Sequence, residues 1–137
     1  MIESGLPGFQ RTRRLRTSEA IRGFVRENEL HARDFVYPLF VTDGTNREHP
    51  ISSMPGQFHL SVDRIAEQIE GLLALGIRAV LLFGVPDAKD ETGTGAWDAD
   101  GAVQRATRLI KLRYPEMLVI TDVCACEYTS HGHCGIL

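Results

Sequence analysis

Two strongly apolar runs, Ala79–Phe83 and Met117–Thr121, each follow a stretch with helical apolar spacing, and this order leaves few folds open. A strand without polar alternation is covered on both faces, as in a parallel sheet flanked by helices. The preceding stretches supply the helices. Ile65, Ile69, Leu72 and Leu73 recur at helical spacing after Ser61, a candidate N-cap, and Gly76 is placed to end the helix. Val103, Ala106 and Ile110 repeat the period over Ala102–Arg113, and Pro115 stops it. An earlier strand is expected at Phe35–Val41, rich in aromatic and β-branched residues. Pro38 inside it predicts a break or bulge, because proline has no N–H for a sheet ladder. Strand, helix, strand, helix, strand is the pattern of a parallel α/β fold.

Two long connections interrupt the pattern. Asp43–Phe58 carries Gly44, Pro50, Pro55 and Gly56, and Gly84–Gly101 carries Pro86, Gly93 and Gly95. Connections of this length usually serve a function. Gly93-Thr-Gly95 is not a dinucleotide fingerprint, since the remaining glycine is missing and no strand runs directly into it. Before the first strand, residues 1–10 hold Gly5, Pro7 and Gly8 without apolar period and read as an extended arm. Thr17 or Ser18 is placed to cap a short helix with Ala20, Ile21, Phe24 and Val25 on one side, ending by about Asn28. The chain thus divides into an arm, residues 1–33, and an α/β region, residues 34–137.

The balance of charge removes several function classes. The net charge is -3, and the four arginines within Gln10–Arg16 are soon followed by acids, so neither nucleic acid nor an anionic membrane is expected as a partner. No window approaches the roughly 18 apolar residues of a membrane span, and Met1–Gln10 lacks the basic-then-apolar pattern of a secretory signal. A cytoplasmic, reducing location is the default expectation, in which the three cysteines are thiols or metal ligands rather than disulfides.

Those cysteines are concentrated where parallel α/β folds keep their chemistry, in the loop leaving the C-terminal end of a strand. The stretch Asp122-Val-Cys124-Ala-Cys126-Glu-Tyr-Thr-Ser-His131-Gly-His133-Cys134 packs three thiols and two imidazoles into thirteen positions. Thiolates are preferred zinc ligands, and three protein ligands with one open position is the arrangement of a catalytic zinc. A fourth ligand would make the site structural, and spacing alone does not say whether His131 or His133 provides it. A redox pair at Cys124 and Cys126 is the competing reading, weakened because the spacing is not C-x-x-C.

Several motifs, taken together, resemble the porphobilinogen synthase (δ-aminolaevulinate dehydratase) family. They are Arg14-Leu-Arg16, Asp34-Phe-Val-Tyr-Pro-Leu-Phe-Val41, Ser53-Met-Pro-Gly56, Leu82-Phe-Gly84, Lys89-Asp90, Arg105-Ala106 and the run from Ile120 to Gly135. The resemblance extends from about Arg11 to the last residue, and the cysteine run is its most specific part. It implies an N-terminal arm making subunit contacts, followed by the first three β/α units of a (β/α)8 TIM barrel. It also implies condensation of two 5-aminolevulinate molecules into porphobilinogen, with loss of two waters, in haem and tetrapyrrole biosynthesis. By the same motif Cys124, Cys126 and Cys134 would hold an active-site Zn2+, and Asp122 would face the substrate amine. A turn cap at the strand end is the alternative role for Asp122. The family assembles as a homo-oligomer, commonly an octamer, and part of it binds a regulatory Mg2+ whose ligands would lie mostly downstream.

The resemblance also implies what this stretch of chain does not carry. The family's two Schiff-base lysines lie on later strands, and here only Lys89 and Lys111 exist. Lys111 is expected to be solvated on a helix, and Lys89 to be held protonated between Asp87 and Asp90. A complete barrel of this type needs about 250 residues and eight strands. The chain alone is therefore expected to be inactive and poorly soluble, with an uncovered apolar sheet face. A zinc-binding fragment without catalysis and a redox or regulatory thiol protein are the alternatives.

Overall fold

The computed structural model describes residues 13–135, so the arm reading for residues 1–10 lies outside the described residues. Contacts divide the chain into two units, up to Leu30 and from His31 onward. In the first, a 3-10 turn at Arg14–Arg16 precedes helix α1, Glu19–Phe24. Ser18 is its cap: the hydroxyl oxygen accepts from the Ile21 N–H at 3.2 Å. The helix ends four residues before the expected Asn28, and Phe24 on it is 92% exposed.

The second unit is a five-stranded sheet with two helices. Its elements are β1 (Tyr37–Thr42), β2 (Glu48–Pro50), β3 (Phe58–Ser61), α2 (Ile65–Ala74), β4 (Ala79–Val85), α3 (Ala102–Arg113) and β5 (Leu118–Thr121). The strand order is β2-β3-β1-β4-β5. β1, β4 and β5 run parallel side by side, as the apolar runs predict, but β5 is not covered on both faces: Leu118, Ile120 and Thr121 are exposed. β2 and β3 are additional. β2 forms inside the stretch expected to be a connection and β3 begins at its last residue, Phe58; β3 runs parallel to β1 and β2 antiparallel to β3.

Pro38 causes neither a break nor a bulge. The register from Tyr37↔Val80 to Thr42↔Val85 is continuous, and pairing with β3 begins only at Phe40. Pro38 therefore sits where β1 has one neighbour instead of two, the setting in which a missing N–H costs least.

One sheet face carries the core. Leu39 and Val41 of β1 and Val80 and Leu82 of β4 pack with Ile65, Ile69 and Leu72 of α2 and Ala106 and Ile110 of α3. The other face carries a row of rings across three strands. Phe40 stacks on Phe83 at 5.4 Å and meets His59 edge-on at 6.1 Å. Here Leu81 and Phe83 are half-buried and Ile120 is exposed, so this face is incompletely covered, as expected.

The helix ends follow local chemistry. Gly76, at φ +81, closes α2: its N–H donates to Leu73 O and that of Ile77 to Leu72 O, both at 3.0 Å, the Schellman pattern. Ser61 does not cap α2, which begins after a 3-10 turn at Val62–Arg64. The Ser61 hydroxyl instead accepts the Arg47 N–H at 2.8 Å, joining the sheet to the β1–β2 connection.

Candidate metal centre

The ladder between β4 and β5 sets the start of the cysteine loop. Beyond the last pair, Leu82↔Thr121, the Asp122 N–H still donates to Leu82 O at 3.2 Å. The chain then curls: Tyr128 and Thr129 both donate their N–H groups to Ala125 O at 2.9 Å. That turn folds the segment back and delivers Cys134 to the two earlier thiols. Cys134 Sγ lies 3.4 Å from Cys124 Sγ and 3.1 Å from Cys126 Sγ. All three sulfurs fall within 4.8 Å of one another, the one such convergent group of His, Cys, Asp or Glu donors among the described residues.

No disulfide joins the three cysteines, and the trio fits a metal of their chemistry. Sulfurs around a tetrahedral zinc, each about 2.3 Å from the ion, stand about 3.8 Å apart. Side-chain rotations that lengthen the 3.4 and 3.1 Å separations by about 0.4 and about 0.7 Å would open the observed spacing to that value. The competing redox pair was expected at Cys124 and Cys126, yet the short approaches both involve Cys134.

The thiols do not share their protons evenly. The Cys126 thiol is pushed up to about 11 by its hydrogen bond to Cys134 and then by Cys124. Cys134 is drawn down to about 7, first by Cys126 and then by the Ala125 N–H, which donates to its sulfur at 3.3 Å. Of these two thiols, Cys134 is the one that ionises first.

The two loop histidines are arranged around each other rather than around the sulfurs. His131 Nδ1 accepts the His133 N–H at 3.3 Å, so Nε2 carries the proton and donates it to Glu91 O at 3.0 Å. Both ring nitrogens of His131 are thus engaged. His133 stacks on that ring at 5.9 Å, and neither imidazole belongs to the convergent donor group. Among the described residues the three sulfurs are the donors that converge.

The loop after β4 forms the other side of this site. Its Asp90 pairs with Thr129 in a short parallel bridge. The Asp90 carboxylate is held down to about 2, first by the Thr94 hydroxyl and N–H and also by the N–H groups of Gly93 and Thr92. Gly93 has φ +70, which side chains rarely adopt, and a Cβ there would also stand in tight contact, 3.1 Å, with the Thr129 methyl.

The family model for delta-aminolevulinic acid dehydratase matches residues 9–137. This chain belongs to that family.

Individual dehydratases agree. The Ruminiclostridium josui delta-aminolevulinic acid dehydratase is 52% identical over 129 residues, 94% of this chain and 63% of its own length. The Bacillus subtilis dehydratase is 47% identical, again over 94% of this chain, and 40% of its own length is covered. A crystal structure of the Toxoplasma gondii dehydratase, in complex with the reaction product porphobilinogen, superposes with a TM-score of 0.88 at 35% identity. It covers 96% of this chain and 38% of its own. The chain thus spans between about two fifths and two thirds of the length of these relatives. Its sheet is part of the family's (β/α)8 barrel, with β1, β4 and β5 as parallel barrel strands.

In this dehydratase chain Asp122 is exposed and lines an open trough of about 720 Å³ with Cys124, Cys134, Trp97 and Arg108. Glu127, which no motif or spacing singles out, lies close by. Its carboxyl is pushed up by burial and then by the Asp122 charge, and lowered by the Gly84 N–H and Lys89. Lys111 is not simply solvated: its ammonium donates to Pro115 O at 2.8 Å and Met117 O at 3.0 Å, closing the C-terminal end of α3. The acids flanking Lys89 are engaged elsewhere, Asp87 by Arg47 at 2.6 Å and Asp90 by its own loop. Asp90 had a readable signal, an Asp followed by Thr92 and Gly93, which favours a local side-chain-to-backbone turn.

Proposed function

We propose that this chain is the metal-binding part of a porphobilinogen synthase, which condenses two molecules of 5-aminolevulinate into porphobilinogen with loss of two waters in tetrapyrrole biosynthesis. The observation that carries this reading is the convergence of Cys124, Cys126 and Cys134 at the end of a barrel strand in a member of the dehydratase family. The product in the Toxoplasma gondii relative supports the choice of substrate. Three soft sulfur donors favour Zn2+ over Mg2+, which takes oxygen ligands.

When bound, the zinc would supply Lewis acidity toward a substrate oxygen at its open position. The residues of the chain prepare that position. The sulfurs hold the ion, and His131, tied to Glu91 and His133, stays out of the coordination shell. Asp122, fixed by its backbone bond to Leu82, presents a carboxylate suited to a substrate ammonium. Neither Lys89 nor Lys111 is given the role of Schiff-base nucleophile. On this reading those lysines, and most ligands of a regulatory Mg2+, belong to residues outside this chain, and the 137-residue chain alone is inactive. Residues 1–33 act as a subunit-contacting arm of a cytoplasmic homo-oligomer, an octamer in the family's common form.

The test is porphobilinogen formation from 5-aminolevulinate by the full-length protein loaded with zinc. Activity abolished by Cys134→Ser, together with loss of one zinc per chain, is the expected result. A zinc-loaded, folded protein that makes no porphobilinogen would overturn the reading. One observation favours a second reading as a redox thiol: Cys126 and Cys134 lie 3.1 Å apart, with Cys134 drawn down to about 7. Ready formation of a reversible disulfide in the presence of saturating zinc would support that alternative.

A further inference from the structure

The cysteine loop is built around Thr129, and Thr129 is built on Asp90. Thr129 is 2% exposed, and its hydroxyl donates to His133 O at 3.0 Å, which fixes the approach to Cys134. Its N–H donates to Ala125 O at 2.9 Å, which fixes the turn between Cys124 and Cys126. Both ends of the sulfur trio are therefore referred to one short segment. That segment is held by the peptide groups of Asp90: the Asp90 N–H donates to Tyr128 O at 3.3 Å, and Asp90 O accepts the Ser130 N–H at 2.8 Å.

Asp90 is itself locked by its side chain. Its Oδ1 accepts the N–H groups of Thr92 at 3.0 Å, Gly93 at 2.5 Å and Thr94 at 3.0 Å, and Oδ2 accepts the Thr94 hydroxyl. These bonds turn its own loop tightly and leave the Asp90 backbone facing the cysteine loop.

Resting on the metal reading above, we infer that Asp90 is a positioning residue of the metal centre: through Tyr128–Ser130 it sets the spacing of the three sulfurs without touching the ion. Groups outside the ligand sphere that orient ligands in this way commonly govern metal affinity. The role depends on the hydrogen-bond geometry of both carboxylate oxygens, Oδ1 toward three N–H groups and Oδ2 toward the Thr94 hydroxyl, rather than on charge. An asparagine, whose amide oxygen can take the Oδ1 place, should preserve it.

The experiment titrates the full-length protein under reducing conditions with Co2+, read at the thiolate-to-cobalt charge-transfer band, and with Zn2+ against a chromophoric chelator. Asp90→Ala is expected to weaken zinc binding by about 10- to 100-fold and to shift the cobalt band, with all three cysteines intact. Asp90→Asn is expected to stay within about fivefold of wild type, the loss of roughly one hydrogen bond, with an unshifted band. Wild-type affinity and band in Asp90→Ala would overturn the inference, as would an Asp90→Asn variant as weak as Asp90→Ala. If Asp90→Ala shows no cooperative melt, Thr94→Val carries the test, because it removes one carboxylate partner and leaves the Asp90 backbone in place. A weaker affinity in Thr94→Val supports the role, and an unchanged one contradicts it. A wild-type protein that takes up neither metal sinks the metal reading itself, and is distinguished by that result.

Discussion

The ring of Tyr128 occupies the space that a Cβ on Gly84 would need: the added atom would overlap the hydroxyl and lie 2.7 Å from Cζ. The same ring passes Gly95, where a Cβ would come within 3.2 Å of Cδ1. The tyrosine thereby anchors the cysteine loop against β4. Gly84→Ala is expected to cost about 1–3 kcal/mol by overpacking, read in a denaturant melt of the full-length protein. Adding Tyr128→Phe should recover part of the loss. No loss in Gly84→Ala would show that the ring can move aside freely.

The core predicts a larger effect. Ile69 is fully buried between α2 and the sheet. Ile69→Ala should destabilise by about 2–5 kcal/mol, with metal affinity of the folded fraction unchanged. A stability change below about 1 kcal/mol would mean the helix is not packed as described.

The ion pairs predict a small effect. Arg105 meets Asp43 at 2.8 Å, tying α3 to the end of β1, but both side chains are about 40% exposed. Solvent screening limits such a pair, and Asp43→Asn should cost no more than about 1 kcal/mol. A much larger loss would reveal a role for Asp43 beyond this pair.

Metal uptake should depend on pH with a definite sign. Each sulfur must lose its proton to bind, and Cys134 is drawn down to about 7 while Cys126 is pushed up to about 11. As pH falls through 7 the Cys134 thiolate is protonated, so affinity falls on acidification and rises toward alkaline pH. Zinc competition titrations from about pH 6 to about pH 8 should give a rising log K, with proton release on binding. A flat profile would contradict thiolate ligation.

β1, β4 and both long helices were legible because each buries an apolar stripe, and β5 was legible as an apolar run although most of it is exposed. Ile65, Ile69 and Leu72 keep the period, and Val80 and Leu82 sit in a run too apolar for a half-exposed strand. β3 has only Phe58 and Leu60 to alternate with His59 and Ser61, directly after Pro55 and Gly56, so its pattern is too short to stand out. β2 is wholly exposed and ends in Pro50; it exists because β3 offers a partner, which no local pattern records. The sulfur ligands were visible as a cluster of rare residues. Their support was not, since Asp90 and Tyr128 reach the loop by contacts between residues some forty positions apart, as Asp90 with Thr129.

The most direct test of the metal centre is zinc stoichiometry in the reduced full-length protein, compared among wild type, Cys124→Ser, Cys126→Ser, Cys134→Ser and His131→Ala. One tightly held zinc per chain is expected, lost in each cysteine variant and retained, with weaker affinity, in His131→Ala. A wild-type protein without zinc, or one whose zinc survives the loss of Cys134, would contradict the account.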